Sequence, residues 1–104
     1  MENEKILRFL GLATASRKSV SGTDLVLSAV RQKKKPFCVV MAADVSERTK
    51  KQLADKCTYY NVPLIKLGSD MYELGKRTGK GHPVAAVAVN EPSLANEILK
   101  VSKE

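Results

Sequence analysis

Apolar residues recur at helical spacing in four stretches of the chain and fuse into continuous runs in two others. Ile6, Leu7, Leu10 and Ala13 fall on one face of a first helix over residues 3–15. Arg17-Lys18-Ser19-Val20-Ser21 then reads as a short strand or extended loop. Leu25, Ala29 and Val30 mark a second helix over 22–34. It closes on Lys33-Lys34-Lys35, where cations suit the negative end of the helix dipole, and Pro36 stops it. Phe37 to Ala43 has no polar position, as in a central strand buried on both faces. Asp44 and Ser46 both suit the N-cap of a third helix with Leu53, Ala54, Cys57 and Tyr60 on one face. Pro63-Leu64-Ile65-Lys66 reads as a third strand, and Ser69 as the cap of a short fourth helix ending near Gly75. Val84 to Val89 is a second two-sided buried strand. Asn90 and Pro92 open a last helix that turns Leu94, Ala95, Ile98 and Leu99 inward. Helices and strands alternate throughout, and neither central strand has a polar face. The pattern therefore predicts an α/β fold, a three-layer α/β/α sandwich around a four-stranded mixed sheet.

Composition fits one domain. A chain of 104 residues buries roughly 65% of its unfolded surface, enough for a core without staples. With 43% hydrophobic and 28% charged residues it has the makeup of a folded domain, which argues against disorder. The longest apolar run, Phe37–Ala43, is far short of the roughly 20 residues a membrane span needs. The acidic start Met1-Glu2-Asn3-Glu4 is unlike a secretory leader. Cys38 and Cys57 sit inside apolar patterns without a C-x-x-C spacing, so they read as buried free thiols in a reducing cytoplasm.

The usual catalytic constellations are missing. A single histidine, His82, with two lone cysteines gives no zinc spacing and no exposed Cys-His pair. Gly75-Lys76-Arg77-Thr78-Gly79-Lys80-Gly81 superficially suggests a phosphate loop. It has three residues between its glycines instead of four, and Gly81 where Ser or Thr should follow the lysine. The expectation is a protein that works by binding, without cofactor or metal.

Charge points to the kind of partner. Lys and Arg number 18 against 11 Asp and Glu, a formal charge of +7 that suggests an anionic ligand. Eight of the cations lie in residues 1–35, against three acids there. Arg17-Lys18 precedes the second helix and Lys33-Lys34-Lys35 follows it, while Lys76, Arg77 and Lys80 occupy the glycine-rich segment. Each run alone is consistent with a solvated surface. Taken together, Arg17-Lys18 and the glycine-rich loop are expected to flank the helix N-terminus at Gly22, whose free N–H groups suit a phosphate. The lysine triplet belongs at the far end of that helix and shares a ligand with Gly22 only if the ligand is long. No aromatic is interleaved with the basic runs, so structured RNA fits better than a stacked single strand. His82-Pro83 reads either as a turn into the last strand or as an exposed base contact. Asp24 reads either as a partner of the helix dipole or as a ligand contact.

The order of motifs resembles a known family over nearly the whole chain. Ser21-Gly22-Thr23-Asp24 opens the second helix, and Val39-Val40-Met41-Ala42-Ala43-Asp44 ends the central strand. Val62-Pro63, Glu73-Leu74-Gly75-Lys76-Arg77-Thr78-Gly79-Lys80 and Ala85-Ala86-Val87-Ala88-Val89 follow. This is similar to the kink-turn RNA-binding ribosomal proteins of the L7Ae/L30e superfamily. Ser21 to Asp24 and Asp44 to Lys51 look most like its bacterial YlxQ-like branch, and Glu73-Leu74-Gly75 with Gly79 is the most specific piece. The resemblance implies the same sandwich fold and a non-enzymatic RNA-binding role. The implied protein is ribosomal or ribosome-associated, a monomer alone or within a ribonucleoprotein, with ribosomal RNA among its candidate targets.

In the family, the second helix enters the widened groove of a kink-turn at its sheared G·A pairs. The loop before the last strand closes on an extruded nucleotide. Carried over, Gly22 lets the protein backbone approach the RNA beside Ser21 and tolerates no side chain, Thr23 and Asp24 face the pairs, and Lys18 approaches phosphate. Lys80, Gly81, His82 and Pro83 form the clamping loop. Well-characterised binders carry Asn-Glu and a lysine one turn later, where this chain has Asp24, Leu25 and Ser28. Aspartate accepts from a guanine edge but cannot also donate as asparagine does. Altered kink-turn selectivity is therefore expected. The alternatives are a protein-interaction module of the same fold and an RNA-recognition partner of an RNA-modifying enzyme.

Overall fold

All nine expected elements are present in the computed structural model, which describes residues 3–103. In order they are α1 (Asn3–Ala15), β1 (Ser19–Ser21), α2 (Thr23–Val30), β2 (Cys38–Met41) and α3 (Glu47–Tyr59). β3 (Leu64–Lys66), α4 (Met71–Arg77), β4 (Ala86–Val89) and α5 (Pro92–Ser102) complete the chain. The strands form one mixed sheet in the order β1-β4-β2-β3. β4 runs antiparallel to both β1 and β2, and β2 runs parallel to β3.

The register puts Val20 beside Ala88 on β4, and Ala88 in turn beside Val39 on β2. Every residue of β2 and β4 is buried, which requires cover on both faces. α1 packs with α5 and α4, and α2 packs with α3, so two helical layers enclose the sheet. Ile6, Leu10, Leu53, Leu74 and Ile98 are the largest side chains wholly removed from solvent on the helices. The three-layer sandwich read from periodicity is the observed fold. No helix among the described residues is long and apolar enough to cross a membrane.

Boundaries moved where local chemistry competes. α2 was expected to reach residue 34 but ends at Val30, its last buried anchor. Beyond it the chain tightens through Arg31 N–H to Ser28 O (3.2 Å) and Gln32 N–H to Ala29 O (3.2 Å), with nothing apolar to hold another turn before Pro36. β4 begins at Ala86 instead of Val84, because Val84 N–H is drawn to Met71 O (3.0 Å). β3 begins after Pro63, which has no N–H.

The caps were redistributed too. Ser46 caps α3 through Thr49 N–H (3.2 Å), while Asp44 reaches across to Met71 N–H of α4 (2.8 Å). Asp70, not Ser69, is the N-cap of α4 and accepts from Glu73 N–H (2.8 Å). Ser69 instead offers its carbonyl to Ala43 N–H (2.8 Å). α4 runs two residues past Gly75, to Arg77. Glu91, not Asn90, caps α5, taking Leu94 N–H at 2.6 Å.

Three helices end in the same hydrogen-bonded wrap. In α1, Lys18 N–H reaches Ala13 O (2.8 Å) and Arg17 N–H reaches Thr14 O (3.1 Å). In α3, Val62 N–H reaches Cys57 O (2.8 Å), and in α4, Lys80 N–H reaches Gly75 O (2.8 Å). The residue in the left-handed turn is Arg17 (φ 59°), Asn61 (φ 58°) and Gly79 (φ 74°) respectively. Asparagine visits this region readily. Arginine does so at a cost of about 1 kcal/mol.

Both cysteines are buried free thiols. Burial pushes the thiol of Cys38 up to about 12 and that of Cys57 up to about 11, so neither supplies a thiolate.

Candidate nucleic-acid interface at the Gly22 end of the sheet

β1 delivers the chain to Gly22, which serves as the N-cap of α2 at φ 104° and ψ 146°. An L side chain rarely adopts this φ, so the position calls for glycine on backbone grounds. A Cβ placed there would meet nothing within 4 Å, so the space above Gly22 is open. No side chain caps the helix. Gly22 O accepts from Val26 N–H (2.9 Å), which leaves the N–H groups of Thr23, Asp24 and Leu25 directed outward from the first turn. α3, α4 and α5 each close their first turn with a carboxylate or hydroxyl. α2 presents bare donors and the positive end of its dipole.

The sheet brings the loop before β4 to the same edge. Gly22 N–H donates to Ala86 O (2.9 Å), and Ala42 N–H, just past β2, donates to Ala85 O (2.9 Å). Pro83 is three residues from Ala86, at most about 10 Å of chain. Lys76, Lys80, Gly81, His82 and Pro83 line one open cleft of about 300 Å³, together with Tyr72, which is 67% exposed. A shallow depression of about 420 Å³ lies on the outer side of α5, along Ser93, Asn96 and Lys100, and has no connection to Gly22.

Gly75 explains how the loop is held. A Cβ on this helical residue would run into the carbonyl oxygen of His82. Only hydrogen lets the loop lie flat against α4. His82 is exposed, and its Nδ1 is 3.0 Å from Pro83 O. A carbonyl only accepts, so Nδ1 is the donor in this contact and Nε2 is left free of it.

Other candidates are placed differently. Arg77 is largely withdrawn from the site. Its guanidinium grips Glu4 of α1 with two bonds, 2.9 and 2.6 Å, and lies 3.7 Å from Glu73. Through that hydrogen bond Arg77 holds the Glu4 carboxyl below its ordinary range, against a smaller opposing effect of desolvation. Lys18 immediately precedes β1, four residues of extended chain from Gly22, or about 13 Å, and Arg17 lies one residue further back in the turn that ends α1. They flank the opposite end of the sheet, where Asn90 N–H donates to Lys18 O (2.7 Å). The expectation that they flank the α2 N-terminus is therefore not met, because a strand of only three residues still spans the sheet. Ser21 pairs with Val87 and is half-buried beside Gly22. Asp24 is exposed on the first turn of α2, and Ser28 lies one turn further along the same face.

The sequence reading missed Tyr72 and the bend after β2. Asp44 shares this edge, but its carboxylate is used to hold α4. Among the described residues no three His, Cys, Asp or Glu side chains group as a metal site requires.

Residues 4–99 match the ribosomal protein L7Ae/L30e/S12e/Gadd45 family. The chain is 40% identical over 92 residues to the RNA-binding protein YlxQ of Bacillus subtilis (strain 168), covering 88% of this chain and 89% of that protein. It is 34% identical over 87 residues to the RNA-binding protein YlxQ of Enterococcus faecium, covering 84% and 82%. A solved protein of unknown function from Bacillus halodurans superposes with a TM-score of 0.86 at 29% identity, covering 99% of this chain and all of that one. The Giardia lamblia 15.5kD RNA binding protein shares the fold, with a TM-score of 0.81 at 17% identity over 96% of this chain and 86% of its own. The match over almost the full length and the curated relatives agree with the architecture: the chain belongs to the ribosomal protein L7Ae/L30e/S12e/Gadd45 family.

Proposed function

We propose that the protein binds structured RNA, with a kink-turn as the target, and acts by holding that RNA without chemical turnover. The observation that carries the reading is the bare N-terminus of α2, led by Gly22 at φ 104° with open space above it. Outward N–H donors at a positive dipole end suit a phosphate or a base edge. Asp24 offers acceptors to guanine amino groups, and the Gly79–Pro83 loop supplies Lys80 and the Nε2 of His82 from the adjoining edge. The names of the YlxQ relatives support an RNA ligand. A ribosomal or ribosome-associated role in the cytoplasm accords with the family.

A gel-shift titration with two RNAs tests this. One carries a kink-turn; the other has its tandem G·A pairs replaced by Watson–Crick pairs. Preference for the first supports kink-turn recognition, and equal binding to both removes it. Leu25, 62% exposed on the first turn of α2, favours the second reading, a protein-docking module of the same fold. That reading requires no RNA affinity at physiological salt and loss of the partner on Leu25→Asp.

A further inference from the structure

We infer that the end of the sheet opposite Gly22 is a second RNA-contact surface, one that takes an unpaired strand. The inference rests on the reading of the chain as an RNA binder.

The topology gathers there what the sequence keeps apart. Lys18 O accepts from Asn90 N–H (2.7 Å), Phe37 N–H donates to Val89 O (2.8 Å), and Val39 N–H donates to Pro63 O (2.9 Å). The starts of β1, β2 and β3 thus line up with the end of β4, across three strand spacings or about 14 Å. Arg17 and Lys18 stand at one side of this strip. Arg31, Lys33 and Lys34 are exposed in the turn that leads into β2. On the β3 side, Lys35 donates to Gln32 O (2.7 Å) and lies 4.9 Å from the ring centroid of Tyr60. Tyr60 meets Tyr59 edge-on at 4.8 Å. Tyr59 is 77% exposed and Phe37 46% exposed. The aromatic–basic combination absent from the linear sequence is present in space.

Two structural explanations of the cations do not account for them. Helix dipoles act within the last turn, and neither α1 nor α2 has a basic residue there; Arg31, the C-cap of α2, answers its dipole, but Arg17, Lys18, Lys33 and Lys34 come after the helices end. Nor are they ion-paired among the described residues. Lys50 pairs with Glu47, Lys51 with Asp55, Lys100 with Glu97 and Arg77 with Glu4. Among the described residues, Arg17, Lys18, Arg31, Lys33 and Lys34 have no acid within 4 Å. The nearby Glu91 spends its carboxylate on Leu94 N–H (2.6 Å). Arg17 also occupies the left-handed turn at the end of α1, where an arginine is disfavoured. Cations that follow a backbone beside exposed rings that stack on bases are the elements of single-strand binding. The strip is long enough for two or three nucleotides flanking a structured element held at Gly22.

The test uses the full chain and a fluorescent, unstructured oligouridylate of about 12 nucleotides, read by anisotropy at low salt. Lys33→Glu with Lys34→Glu weakens binding about tenfold or more, and Tyr59→Ala about fivefold. Lys100→Glu with Lys103→Glu, which changes the net charge equally at the C-terminal end of α5, leaves the affinity within about twofold. Equal loss from the two double variants overturns the inference in favour of unlocalised charge. An unaffected Tyr59→Ala overturns the stacking it requires. Absence of oligouridylate binding overturns it as well, and binding of the kink-turn RNA in the same assay then leaves the primary reading standing. Conversely, the expected oligouridylate pattern without discrimination between the two structured RNAs supports this surface and removes the kink-turn.

Discussion

The two ends of the sheet are built from opposite halves of the same backbone geometry. At the Gly22 end, β1, β2 and β3 finish and α2, α3 and α4 begin, so the edge carries helix N-termini, their capping acids and one uncapped turn. At the other end α1 and α3 finish in left-handed wraps and α2 finishes at Val30; Arg17 and Lys18 lie at the α1 wrap, and Arg31, Lys33 and Lys34 follow α2. Backbone donors dominate the first edge, side-chain charge the second. Nearness in sequence misleads about which residues share an end. Lys18 and Gly22 are four residues apart and lie at opposite ends of β1, whereas Gly22 and Ala86 are hydrogen-bonded at 2.9 Å. A short strand separates its two ends as effectively as a helix does.

Gly22→Val breaks the comparison most sharply. It puts a β-branched residue at φ 104°, straining the backbone by about 1–3 kcal/mol, and covers the open face of α2. Against a domain stability of about 5–15 kcal/mol the chain stays folded, which circular dichroism checks. Affinity for structured RNA falls about 100-fold, the scale of a lost interface anchor. Affinity for oligouridylate stays within about twofold. Parallel loss of both ligands would merge the two ends into a single surface.

Gly75→Ala asks how far the loop at the Gly22 end depends on its support. The new methyl meets the His82 carbonyl, and relieving that clash displaces the loop or strains α4 by about 1–3 kcal/mol. Thermal unfolding is expected about 4–8 °C lower for each kcal/mol lost. Structured-RNA binding weakens through the displaced Lys80 and His82, while oligouridylate binding does not change. An unaltered melting temperature would mean that the loop is free to lift.

The order of elements and the layering were legible because β2 and β4 are apolar on both faces and the helices keep a clean period. Helix ends were less so. Asp44, Ser46 and Ser69 are all good capping residues, and local sequence does not tell which N–H lies within reach when one of them crosses to another helix. The same limit applies to the site. Gly22 and the Lys80–Pro83 loop were legible as motifs, and their adjacency came from β1 pairing with β4. The Arg77–Glu4 pair was not legible, since the two residues are 73 positions apart. Glu73-Leu74-Gly75 stood out as a pattern, but its physical reason, the His82 carbonyl against Gly75, is a tertiary contact.

The Glu4–Arg77 pair gives a smaller, pH-dependent test, because it ties α1 to the helix that carries Lys76 and the loop. Arg77 lowers the folded-state pKa of Glu4 below its ordinary 4.5. The pair's contribution is therefore complete above that unfolded value and fades as pH falls through the lower folded one. Melting temperature should be insensitive to this pair near neutral pH and should drop on acidification, with Glu4→Gln flattening part of the drop. A Glu4→Gln curve parallel to the wild type down to about pH 3 would show that the exposed pair contributes nothing.

Arg17→Gly has the smallest expected effect on stability and bears most directly on the far end. Glycine removes the cost of holding arginine at φ 59°, about 1 kcal/mol, but loses about 0.5–1 kcal/mol to the freedom it gains in the unfolded chain. The melting temperature should therefore hold or rise by a few degrees at most. Removing one cation from the strip should weaken oligouridylate binding and reduce its salt slope by about 0.7. Stability that holds while affinity falls would mean that arginine occupies this turn for its charge. If affinity holds instead, Arg17 only terminates a helix, and the strip begins at Lys18.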